Sequence, residues 1–131
     1  MADLEEALVT LLLADVGFTA VCGERLFPLV IPQDVALPSV AYQRISGARE
    51  YALDGRSGLA RPRIQFTCVG NRYSDARNAA NALREVLSGY RGTVDGVWIQ
   101  AAFLENEDDA FTDDSGLYSV QQDYFIWYRE N

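Results

Sequence analysis

The sequence predicts an α+β fold in which two helices pack on a mostly antiparallel sheet, in the order α-β-β-β-α-β-β. Three observations predict it. Leu recurs at helical spacing near the N-terminus, and Ala and Leu do so again over residues 75–88. The stretch "RIQFTCVG" alternates apolar and polar residues at period two. Prolines and glycines cut the remaining apolar stretches into strand-sized pieces. The 131 residues suit one domain, 1–131, long enough to bury a core of its own. Neither an internal repeat nor a low-complexity segment interrupts it.

The first helix begins at Asp3, which can cap it, with Glu6 at the capping-box position. Leu4, Ala7, Leu8, Leu11 and Leu12 share one face, which marks that face for the core. The helix should end near Ala14, before a "DVG" turn. Pro28, Pro32 and Pro38 then deny a helix and allow a short edge strand at 26–29. A second strand reads from Ser39 to about Ser46, or onward past a bulge at Gly47, before a flexible "DGRSGLARP" connection. In the third strand Ile64, Phe66 and Cys68 point inward while Arg63, Gln65 and Thr67 point outward. The second helix spans 75–88, capped by Ser74 and ended by Gly89. Ala76, Ala79, Ala80, Leu83, Val86 and Leu87 form its apolar face, and the small residues allow close approach to a sheet. The last two strands are "GVWIQAAFLE" and "LYSVQQDYFIWYRE". In the final strand Tyr118, Val120, Gln122, Tyr124, Ile126 and Tyr128 share one face. The other face ends in Phe125 and Trp127. An end apolar on both sides is either covered on both sides within the fold or part of a subunit interface.

The charge is uneven. The chain carries 11 Arg, 19 acids and neither Lys nor His, for a net charge of −8. Six of the acids lie between Glu105 and Asp114, and the rest of the chain is close to neutral. The segment from Arg44 to Arg63 is the basic counterpart, with five Arg against Glu50 and Asp54. This balance suits neither wrapping of DNA, which needs cationic contacts, nor an anionic membrane surface. Acids near the N-terminus, where a signal peptide has cations, and an interrupted apolar run predict folding in the cytoplasm. Cys22 and Cys68 are two isolated thiols of a reduced protein, or the two halves of one disulfide.

Much catalytic chemistry has no residues to carry it. Without His there is no imidazole base for a Ser or Cys nucleophile. Without Lys there is no P-loop lysine and no Schiff base. The acids sit on one expected connection between two strands, whereas a catalytic carboxylate pair comes from separate rigid elements. An enzyme is not expected, nor a catalytic, cofactor-binding or metal-binding residue. The acidic stretch also fails as an EF-hand. With Gly116 at the sixth position, Phe111 falls at the first and Gln122 at the twelfth, where ligands are required. A looser divalent-cation site, a solvated loop and a docking loop remain as readings of it. The segments of opposite charge can pair within the monomer or head-to-tail between copies. The candidate interface therefore comprises Arg49, Arg56, Arg61 and Arg63, then Asp108, Asp109, Asp113 and Asp114, together with Phe125 and Trp127.

Several stretches together resemble a known family. They are "ALVTLLLAD", "CGERLFPLVIPQDVALPSVAYQRISG", "RPRIQFTCVGNRYSDARNAANALREVL" and "GLYSVQQDYFIWY". In this order they are similar to the tail-completion or tail terminator proteins of long, non-contractile-tailed phages and prophages, with a lambda-type tail terminator fold. The resemblance implies a structural virion protein without a cofactor. It implies a homo-oligomeric ring, typically a hexamer, that caps the tail tube, stops its polymerisation and takes part in head–tail joining. The tail tube protein, a head–tail connector protein and DNA passing through the bore are the implied partners. An adaptor or stopper of the same connector is the neighbouring reading. A small ligand- or metal-binding α+β domain is the reading from another class.

Overall fold

The computed structural model describes residues 3–46, 59–113 and 115–129. Three helices and one curled, seven-stranded sheet make up these residues. Helix α1 (Leu4–Leu13) starts on Asp3, whose carboxylate accepts from the Glu6 amide at 2.9 Å. It buries Leu4, Ala7, Leu8 and Leu12. The expected "DVG" turn is instead the start of a second helix, α2 (Val16–Cys22). Asp15 caps it by accepting from the Phe18 amide at 2.9 Å. The chain therefore turns on one Asp and resumes helix at once, which puts Phe18 and Cys22 into the core.

Strand β1 (Leu26–Pro28) pairs parallel with β2 (Ser39–Ser46) across the ten-residue connection between them. That connection is not helical, and Leu29 and Asp34 in it take positive φ. The two-residue β3 (Leu59–Ala60) and the strand β4 (Arg63–Gly70) follow. In β4 every second residue is buried, as the alternation in "RIQFTCVG" predicts. Helix α3 (Tyr73–Leu87) starts two residues before the expected position. Arg72 stands at its N-cap without a side-chain cap bond, so Ser74 lies inside the helix. Ala76, Ala79, Ala80, Leu83 and Leu87 are buried against the sheet. A three-residue strand, β5 (Gly92–Val94), was not expected. The closing pair is β6 (Val97–Thr112) and β7 (Leu117–Arg129).

The strand order is β1-β2-β4-β7-β6-β5, with β3 added beside the end of β7. Every pairing except β1–β2 is antiparallel. The helices cover one face and share one continuous core with Ile64, Phe66, Cys68, Val120, Tyr124 and Ile126. Phe66 and Tyr124 meet edge to face at 5.7 Å in its middle. Arg44 reaches from β2 to Glu5 of α1 at 2.6 Å and ties the first helix to the sheet. Both cysteines are free thiols buried in this core.

Candidate functional site

The acidic stretch is a strand, where a connection between two strands was expected. From Glu105 to Thr112 it continues β6 in register with β7, pairing Glu107 with Gln122, Asp109 with Val120 and Phe111 with Tyr118. The two strands form a long hairpin arm, which turns through Asp113 and a Gly116 at φ 70°. Asp114 lies outside the described residues.

Strand geometry divides the acids between two faces. Glu107 and Asp109 face α3. Arg77 of that helix binds Glu107 at 2.8 Å and lies 3.6 Å from Asp109. The Tyr73 hydroxyl donates to Asp109 at 2.7 Å. Asp108 pairs with Gln121 on the opposite face and accepts from the Asn106 side chain at 2.8 Å. Asp113 is exposed in the turn. The acids that face α3 are thus partly neutralised by Arg77.

Glu107, itself partly buried, also caps a polar chain that runs into the core. The Gln122 amide donates to Glu107 at 2.6 Å and to the Ala80 carbonyl at 3.1 Å. Its oxygen accepts from the Tyr124 hydroxyl at 2.9 Å. Burial works to raise the Glu107 carboxyl, but hydrogen bonds from Arg77 and Gln122 outweigh it, and the net shift is downward from 4.5. A carboxylate shifted downward stabilises the fold above its ordinary value and stops doing so as the pH falls through its folded value. Glu107→Gln should therefore lose less stability than the wild type on acidification below about 4.5. Urea unfolding at neutral and acid pH checks this; parallel acid limbs would refute it.

The second feature is the sheet face that no described helix covers. Phe125 pairs with Arg63 on one side and Phe103 on the other, so the three share that face. Trp127 lies on it next to Phe125. The Arg61 guanidinium sits 4.7 Å from the Phe125 ring centre and 5.5 Å from that of Trp127. Arg63 lies 5.8 Å from the Phe125 ring and binds the buried Asp123 at 2.5 Å. Among the described residues, Asp123 Oδ1 and Arg63 Nε are buried without hydrogen-bond partners. Phe103 is 54% exposed. This is an arginine-rimmed aromatic surface of the composition that protein interfaces favour.

The structure thus brings Arg61, Arg63, Phe125 and Trp127 together, and it separates Asp108 from Asp109 by face. Arg49 and Arg56 lie outside the described residues. Sequence reading missed Phe103, Arg77 and an aromatic cluster on the arm. In that cluster Phe111 stands 4.7 Å from Tyr118, and Tyr118 stands 6.3 Å from Tyr73. Neither signal was local: a register shift between Ile99 and Ala101 turns Phe103 away from the face of Ile99, and the contact of Tyr73 is tertiary.

Other chemistry has little to work with. Among the described residues no three His, Cys, Asp or Glu side chains gather as a metal site. Burial pushes the Cys22 thiol up to about 11 and raises Cys68 further, which suits packing and not nucleophilic attack. A groove of about 420 Å³ lies under the β1–β2 connection, lined largely by Ile31, Pro32, Val35, Leu37, Val69 and Leu117. No described helix is long and apolar enough to cross a membrane.

Comparison with known proteins follows the fold. The family profile described as "Tail completion protein gp17" matches residues 6–129. Among solved structures, a chain of the "Virion of native gene transfer agent (GTA) particle" is similar, with a TM-score of 0.82. It is 16% identical, and the match covers 96% of this chain and 94% of that one. At such identity the likeness is one of fold. No curated protein sequence matches.

Proposed function

The chain belongs to the tail completion protein gp17 family, a structural component of the virion tail, and from that membership we propose that it closes the tail tube as a ring of its own copies. The ring, a hexamer in this reading, stops tube polymerisation and offers its outer surface to the head–tail connector. Its role is structural and not catalytic, and it assembles in the host cytoplasm. The whole of residues 1–131 acts as one domain in it. The observation that carries the reading is the family match across residues 6–129. The paired surfaces support it: one chain bears both an acidic arm and an arginine-rimmed aromatic face, as self-association through unlike surfaces requires. A net charge of −8 also suits a bore through which DNA slides, because a wall of like charge does not hold phosphates.

Electron microscopy of a lysate lacking only this gene tests the role. Overlong or variable tubes without heads are the expected result. Tails of normal length left unjoined to full heads would make the protein an adaptor or stopper of the connector. Normal infectious particles would overturn both assembly roles.

A further inference from the structure

Two aromatic surfaces of this chain stand on opposite faces of the same hairpin. Phe103 and Phe125 pair on the face that no described helix covers, with Arg61 and Arg63 beside the Phe125 ring. Phe111 and Tyr118 pair on the other face, where Tyr118 meets Tyr73 of α3 and Asp109 accepts from the Tyr73 hydroxyl. Their opposition has a local cause. The register shifts between Leu104 and Asn106, a bulge that inserts one residue into β6. Phe103 and Phe111 are eight positions apart and would share a face in a regular strand. The inserted residue turns Phe111 to the other side.

The distance between them is as telling as the direction. On β7, Tyr118 and Phe125 are seven residues apart, which at about 3.3 Å each is roughly 23 Å. The two surfaces therefore cannot meet within one molecule. They are nonetheless complementary: each is aromatic at its centre, and one carries Arg61 and Arg63 while on the other Glu107, Asp109 and the exposed Asp113 outnumber the one cation, Arg77, that pairs with them. Phe111 and Phe103 are 50% and 54% exposed, and each stands within an aromatic cluster, unlike the more exposed Val16, Leu29 and Val30.

The geometry points to a head-to-tail contact between copies, in which the Tyr73–Phe111–Tyr118 arm of one copy seats on the Phe103–Phe125–Trp127 face of the next. Because the surfaces lie on opposite faces, the second copy docks without being turned over. The contact repeats in one sense and closes when the rotation per copy suits. The inference rests on the ring reading and names the surfaces that would build it.

Two variants test it, Phe111→Asp on the arm and Phe103→Asp on the face. Both side chains are half exposed, and the variants should melt with the wild type. If either melts earlier, Phe111→Ser and Phe103→Ser replace them. Light scattering on size-exclusion fractions should show wild-type assemblies and, for each variant alone, self-association weaker by about 30-fold or more. An equal mixture of the two variants should form one-to-one pairs and nothing larger, because one intact contact is left. Variants that assemble as the wild type does, or a mixture that stays monomeric, overturn the inference while leaving a ring built elsewhere. Where the free wild type is monomeric, cross-linking on tail tubes replaces light scattering, and a wild type that makes no contact with itself there either overturns the ring reading and this contact with it.

Discussion

Replacing Gln122 with Leu is expected to lower the stability of the fold by about 3 kcal/mol. Leu has nearly the volume of Gln, so no cavity opens and packing changes little. What is lost is hydrogen bonding at a fully buried position. The Gln122 amide serves the Ala80 carbonyl and the Glu107 carboxylate, and its oxygen takes the Tyr124 hydroxyl. Two of these bonds join neutral groups, at about 1 kcal/mol each, and the bond to an ionised carboxylate contributes somewhat more. Tyr124 has no exposed surface, so its hydroxyl cannot turn to water. The urea midpoint should fall with an unchanged slope. The cause can be separated from simple damage by adding Tyr124→Phe. Removing the orphaned hydroxyl should make the double variant cost clearly less than the two single costs combined. Full additivity would mean that the hydroxyl finds another partner.

This network also explains why the arm is a strand. Asp and Glu are poor strand residues, and a run of them repels itself. Read from sequence alone, 105–114 is therefore a connection. In the fold, β7 offers thirteen residues of backbone pairing, and Arg77 with Gln122 holds Glu107 in place. Neither partner is near in sequence, and no local pattern announces them. Where information was local, the reading mostly held, with the Ser74 cap as the exception. The alternation of β4, the start of β2 at Ser39 and the Asp3 cap with its Leu face are all as expected. The misses are of one kind. Helix α2 has seven residues and contains Gly17, so its Asp15 cap resembles a turn signal. Strand β5 has three residues and exists by pairing with β6. The two aromatic surfaces were half legible. Phe125 and Trp127 were visible as the apolar end of a strand, but the bulge that sends Phe103 and Phe111 to opposite faces was not.

Replacing Gly70 with Ala should cost about as much, roughly 3 kcal/mol, for a steric reason. Gly70 ends β4 where the chain turns into α3. A Cβ there would lie 2.7 Å from the Ala76 amide nitrogen and 2.8 Å from the Asp75 Cβ. Neither atom belongs to the far end of a flexible side chain, so the first turn of α3 must lift from the sheet. That helix sits close because Ala76, Ala79 and Ala80 face the strands. Lifting it moves Arg77 away from Glu107, Tyr73 away from Asp109 and the Ala80 carbonyl away from Gln122. The substitution should therefore loosen the arm as well as the core. Faster amide exchange in β6 from Glu105 onward, beyond what the lower global stability accounts for, is the expected signature. Stability within about 0.5 kcal/mol of the wild type would mean that α3 does not lie so near the strand end. Because Gly70→Ala and Gln122→Leu break one shared contact, combining them should cost less than both separately. That shortfall would place the grip of α3 on the arm in a single coupled unit.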